Sequence, residues 1–209
     1  MPRKVDHQER REQIASAVTR VAATRGLEAV SLRHVAAEAG VTSGMVQHYF
    51  PTKDAMMSFA MRSASERYEA RMNAALAGLG EHPAAWELVA AVLHTLLPLD
   101  EEQRADARVG LAFQSYAATR PAAAGDLGGG NAELRSFLAE QVRSARSAGG
   151  APAGIDPGHA ATALLAMAEG LGVQLLSSDL SADDAVAALD AQLDLVLWAP
   201  RPTQLRRHP

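Results

Sequence analysis

The sequence predicts an all-α protein: a small three-helix head joined by one long helix to a larger helical body. Three observations predict it. Ala, Leu and Val dominate while aromatic residues make up only 4% of the 209 residues, a composition that suits packed helices better than a sheet built on aromatic and β-branched side chains. Apolar residues recur at three- and four-residue spacing, with no useful strand alternation and no internal repeat. Helix caps and stops punctuate the chain at short intervals.

The first helix is expected from about Asp6 to Arg25, with Ile14, Val18, Val21 and Ala22 on one face and Gly26 as a left-handed stop. Ser31 is placed to cap a short helix, Leu32 to Ala39, ended by Gly40. Thr42 is placed to cap a stub reaching Tyr49, which Pro51 breaks; Thr52 then opens a long helix from Lys53 to about Leu76. Pro83 suits the first turn of a helix running to Leu97. Asp100 to Gln103, "DEEQ", resembles a capping box for the next, which must stop before Pro121. "AAAGDLGGGN", Ala122 to Asn131, reads as a mobile loop, and Asn131 as the cap of a helix carrying Leu134, Leu138, Val142 and Ala145. Asp156 with Pro157 starts a further helix, and Ser181 with Asp184 starts a last one ending near Trp198. The boundaries that follow are a head over 1–52, a body over 53–200 and a disordered tail over 201–209.

Several classes of function are disfavoured. The chain holds no cysteine, which removes disulfides and thiolate chemistry. The charged start "MPRKVDHQERREQ" lacks the apolar core of a signal peptide, and no uncharged apolar run reaches the length of a membrane span. A cytoplasmic protein without membrane contact is expected. The histidines are scattered, with no metal spacing, no nucleophile elbow and no Walker loop, so neither enzyme, metal site nor cofactor is expected. Asp183-Asp184 reads as an acidic helix start, and Asp190 with Asp194 as a solvated face.

Charge and motif point elsewhere. Residues 1–55 carry eight Lys/Arg and six acids, net +2, in a chain whose formal charge is −4. A basic head on an acidic body suits contact with a polyanion at one end. Within that head, "SLRHVAAEAGVTSGMVQHYF" (Ser31 to Phe50) sets two short helices about Gly40-Val41-Thr42. Val35, Ala39, Val41, Val46 and Tyr49 have the spacing to fill the wedge between them, Ala36 is small where the backbones approach, and Gly40 supplies a positive φ. This is the helix-turn-helix pattern, whose second helix enters the DNA major groove. A stub of this length spans about 11 Å at 1.5 Å per residue, near the groove width of roughly 12 Å.

The residue types fit double-stranded DNA. Ser43 and Gly44 leave the stub's N-terminus clear for a phosphate. Gln47 is suited to bidentate pairing with adenine and Met45 to a thymine methyl. His48 and Tyr49 offer bonds to phosphate or base edges, Lys53 neutralises a phosphate, and Arg33 is placed for the backbone. Phe50 reads as a core plug, and Arg3 and Lys4 as a solvated tail that could also lie over phosphate. A plain helical hairpin in a bundle is the competing reading.

"VAAEAGVTSGMVQHYFPTKDAMM" resembles the DNA-binding segment of TetR-type transcriptional regulators, through Val35-Ala36, Gly40-Val41, Gly44, Tyr49-Phe50 and Lys53-Asp54. The resemblance covers the first fifty to sixty residues; the body is similar only in helix number and size. It implies a homodimeric repressor that binds a palindromic operator and leaves DNA when a small-molecule effector enters the body. It implies contacts at Thr42, Ser43, Gly44, Gln47, Tyr49 and Lys53. The chain departs from the family at Gln47, where Tyr is frequent, so the operator preference does not carry over.

In the body, Ala161, Leu164, Ala168, Leu171, Gly172 and Leu175 form one stripe, and Val186, Leu189, Leu193 and Val196 another. With their symmetry mates they are expected to make a four-helix dimer interface, a placement that leans on the resemblance; ordinary intrachain core is the alternative. A sensor pocket needs apolar walls and a few polar tips, and Trp86, His94, Phe113, Gln114, Tyr116 and Glu169 are the ligand-binding candidates. Glu169 is the oddest of them, a carboxylate on an apolar helix, suited to a ligand amine or to an Arg across the dimer. The alternative for the whole chain is an all-α ligand-binding or scaffold protein without DNA-binding activity.

Overall fold

The computed structural model describes residues 3–26, 29–118 and 121–198, with side chains for all of these except 3–6, 23, 116, 117 and 121–129. The expectations for the 201–209 tail, for the Arg3 and Lys4 side chains and for the Tyr116 side chain lie outside the described residues. Nine α-helices and no strand occur among the described residues: α1 Arg3–Arg25, α2 Leu32–Ala39, α3 Ser43–Tyr49, α4 Lys53–Ala77, α5 Ala85–His94, α6 Glu101–Ala118, α7 Pro121–Ser147, α8 Pro157–Ser177 and α9 Ala182–Val196. The all-α expectation holds.

The local signals act through definite atoms. Ser31 accepts the His34 N–H at 3.2 Å to start α2, and Thr52 accepts the Ala55 N–H at 3.0 Å to start α4. At α6 the capping box is complete: Asp100 Oδ1 accepts the Gln103 N–H at 2.8 Å, while Gln103 Oε1 accepts the Leu99 N–H at 2.7 Å and the Asp100 N–H at 3.4 Å. Each satisfies a first-turn donor that the helix itself cannot. α5 ends at His94, earlier than the expected Leu97, and Thr95 to Leu97 continue through tighter i→i+3 bonds to Val92, Leu93 and His94.

One expectation is corrected. The Ala122–Asn131 stretch lies within α7, which starts at Pro121, and Asn131 is not a cap. Pro at a first helical position and three consecutive Ala residues favour a helix start there, and the glycines lower its stability without ending it.

The chain divides into two compact units: the described residues up to Ala70 with Pro98–Leu127, and Arg71–Leu97 with the described residues from Gly128 onward. In the first, Ile14, Val18 and Val21 of α1, Val35 and Ala36 of α2, Val46 of α3, Phe50, and Met56, Met57 and Ala60 of α4 form one core with Val109 and Phe113 of α6. Each large apolar side chain fully buried there contributes about 1.5–3 kcal/mol relative to exposure. Arg11 lays its guanidinium 4.6 Å from the Phe59 ring centroid and 5.2 Å from that of Phe50. Asp106 of α6, the one buried charged residue among the described residues, takes a two-pronged bond from Arg67 of α4, with Nη2 at 2.6 Å and Nε at 3.1 Å from Oδ1.

In the second unit, α8 packs on α9, and α5 packs on both. α8 alone among the described helices is long and apolar enough to cross a membrane. Its buried face, from Ala160 to Leu175, is instead closed into this unit's core.

Candidate nucleic-acid interface

The head is shaped by two bends. At the first, Gly40 takes φ +67°, its N–H bonds Ala37 O at 3.3 Å, and the Val41 N–H reaches Ala36 O at 2.9 Å. This ends α2 in one residue and turns the chain into α3. α1 fastens the same end: Gln13 Nε2 donates to Ala39 O at 2.9 Å, and Arg20 pairs with Glu38 at 2.7 Å. At the second bend, the Phe50 N–H bonds Val46 O at 2.8 Å, and Phe50 is 1% exposed.

These bends leave α3 with one face inside and one outside. Val46 is fully buried, whereas Thr42, Ser43, Gly44, Met45, Gln47 and His48 are exposed and Tyr49 is half-buried. Lys53 and Arg33 are also exposed. All nine residues expected at DNA belong to the first unit, eight of them exposed and Tyr49 half-buried. Thr42 Oγ1 accepts the Met45 N–H at 3.2 Å and so caps α3. A Cβ built on Gly44 would meet nothing within 4 Å. The fold does not require glycine there.

The ligand-binding candidates are distributed over both units. Phe113 is a core side chain of the first unit and Gln114 is an exposed residue of that unit. Trp86, His94 and Glu169 belong to the second unit. There Trp86 Nε1 donates to Asp194 Oδ1 at 2.8 Å, and His94 Nε2 lies 2.8 Å from Asp190 Oδ1. Asn131 Nδ2 donates to Glu169 Oε1 at 3.3 Å. Asp190 and Asp194 are therefore partners of α5 rather than a merely solvated face. Asp183-Asp184 does open a helix: Ser181 Oγ accepts the Asp184 N–H at 3.1 Å.

The residues of the expected dimer stripe lie in the core of the single chain. Ala161, Leu164, Ala168, Leu171, Leu175, Leu189, Leu193 and Val196 are at most 8% exposed in the single chain, and Gly172 is buried with them. They close α8 and α9 onto their own unit. The solvent face of α8 carries Thr162, Ala166, Gly170 and Val173, and that of α9 carries Ala187, Ala191 and Leu195, with Trp198 just beyond its end. Leu195 and Trp198, 65% and 59% exposed, are the most exposed large apolar side chains described.

A short capped helix presented on a three-helix head defines a helix-turn-helix protein, and the comparisons give its family. Residues 14–58 match the family of bacterial regulatory proteins, tetR family, and residues 85–197 match the BetI-type transcriptional repressor, C-terminal family. The chain belongs to the TetR family of transcriptional regulators, and is a regulator rather than an enzyme. The HTH-type transcriptional regulator PksA of Bacillus subtilis is 38% identical over 118 residues, 56% of either chain. The HTH-type transcriptional repressor KstR of Mycolicibacterium smegmatis is 41% identical over 71 residues, 34% of this chain and 35% of KstR. The chain thus spans about half or less of the length of the curated relatives it matches. Over nearly its whole length it is similar to a transcriptional regulator from Rhodococcus sp. Rha1, with TM-score 0.79, 31% identity, and coverage of 91% of this chain and 99% of that one. A regulator from Saccharomonospora viridis in complex with choline shares the fold, with TM-score 0.82 at 22% identity, and coverage of 91% and 98%.

Proposed function

We propose that this regulator is a cytoplasmic homodimeric repressor that grips a palindromic operator with α3 and leaves it when a small molecule binds the body. One observation carries the DNA-binding part: α3 buries Val46 and turns Gly44, Met45, Gln47 and His48 outward, with open space at Gly44. In this reading residues 1–52 are the DNA-binding domain and 53–200 the effector-binding and dimerisation domain. Gln47 reads a base. Met45 lies on a thymine methyl. Thr42, Ser43, His48, Tyr49, Lys53 and Arg33 hold phosphates, and Gly44 lets the backbone come close.

A single stub reads few bases, so two must act together, one helical turn of DNA or about 34–36 Å apart. The solvent face of α8 and α9, with small residues at Thr162, Ala166 and Gly170 and apolar ones at Val173, Leu195 and Trp198, supports a two-fold contact there in place of the buried stripe. For the effector, Glu169 of α8, bonded by Asn131, favours a ligand with an amine or other cationic group, and choline is one cation to screen. A titration of the protein against duplex DNA from its own upstream region tests the function. Salt-sensitive, sequence-selective binding supports it, and equal binding to unrelated duplexes sinks it.

A further inference from the structure

Two imidazoles lie against one tyrosine ring on the head. The imidazole of His7, on α1, lies 4.6 Å from the Tyr49 ring centroid at 57°, and the imidazole of His48, on α3, lies 5.4 Å from it at 82°. Both histidines are exposed and Tyr49 is half-buried between them. Among the described residues neither imidazole has a carboxylate partner; the histidine ion pairs are those of His94 and His159. In the chain His7 is flanked by Lys4, Asp6, Glu9, Arg10 and Arg11, and His48 is followed by Lys53 and Asp54 at the start of α4.

We propose that His7 and His48 form a proton-linked clamp on operator phosphate, so that binding DNA takes up protons at these two imidazoles. The inference rests on the DNA-binding reading above and adds His7 of α1 to the surface. Imidazole changes charge between pH 5 and 8. A nearby phosphate favours the protonated form. Affinity for DNA therefore rises as pH falls, with at most one proton taken up per histidine.

The test measures operator affinity of the full chain at constant ionic strength, by anisotropy of a labelled duplex from its own upstream region, at about pH 6 and about pH 8, the range in which imidazole titrates. Wild type is expected to bind about tenfold or more tightly at the lower pH. Its salt slope should be steeper there by up to about 0.9 for each protonated imidazole. His7→Gln and His48→Gln each lose part of the pH dependence and the double variant loses it all. His7→Lys holds the tight affinity at the higher pH and flattens the profile. His34→Gln, on α2, leaves the profile unchanged. Thermal melts confirm that each variant folds. A wild-type affinity that does not change with pH, or a double variant that keeps the dependence, overturns the clamp and leaves the DNA-binding reading intact. Absence of selective binding at either pH overturns both.

Discussion

Across the turn between α2 and α3, the N–H of Val41 bonds the carbonyl of Ala36 at 2.9 Å. The bond closes only because Gly40 between them holds φ +67°. A side chain there strains the backbone even though a Cβ would touch nothing. Gly40→Ala is therefore expected to lower stability by about 1–2 kcal/mol, read from urea unfolding. An unchanged midpoint would show that the turn does not depend on the left-handed residue.

Gly44 makes the opposite prediction. Its φ is ordinary and its surroundings are open, so Gly44→Ala should leave the fold unchanged or stabilise it by up to about 1 kcal/mol. Operator affinity should fall by about tenfold or more, or about 1.4 kcal/mol, because the methyl stands where the DNA backbone comes close. Stability and affinity falling together would mean that Gly44 serves the fold.

The head was legible in the sequence because its signals are local. Ser31, Gly40, Thr42 and Thr52 each act within a few residues of themselves. The partners of Trp86 and His94 were not legible, since Asp194 and Asp190 lie 108 and 96 residues away, and an acid pair at helical spacing looks the same whether solvated or bonded. That the stripe through Leu164 and Leu189 is buried within the single chain was not legible for another reason. Periodicity shows that a face is apolar, not whether the chain's own helices or a second copy covers it. The start of α7 was misread because a glycine run outweighed the proline and alanines before it.

The dimer face proposed on the solvent side of α8 and α9 separates two kinds of variant. Ala166→Glu and Leu195→Glu alter only the solvent face and should give monomers by sedimentation, with helix content kept. Leu189→Ala, in the core, should cost about 2–5 kcal/mol of stability. Dimers that persist in both glutamate variants would place the interface elsewhere.

Asp156 sets an acid limb on stability. Its carboxylate accepts the His159 N–H at 2.8 Å at the start of α8, and that bond, helped by the His159 and Arg146 charges and the Gly158 N–H, holds its pKa below the ordinary value against a smaller opposing effect of burial. A lowered pKa means that the stabilisation is full above the ordinary carboxylate range and is lost as pH falls through the lowered value. Asp156→Asn still caps the helix but does not titrate, so its melting temperature should fall less steeply with acid than that of wild type. Parallel acid limbs would remove Asp156 as a cause.

The central claim is that the outward face of α3 reads DNA, and paired titrations of Gln47→Ala and Lys53→Ala against the operator and against single-base variants of it test it most directly. The account predicts that Gln47→Ala loses about 1–3 kcal/mol of discrimination at one base pair in each half-site. Lys53→Ala should weaken binding to all sequences alike and lower the salt slope by about 0.9 for each phosphate that the lysine no longer neutralises. Binding and discrimination unchanged in both variants would contradict it.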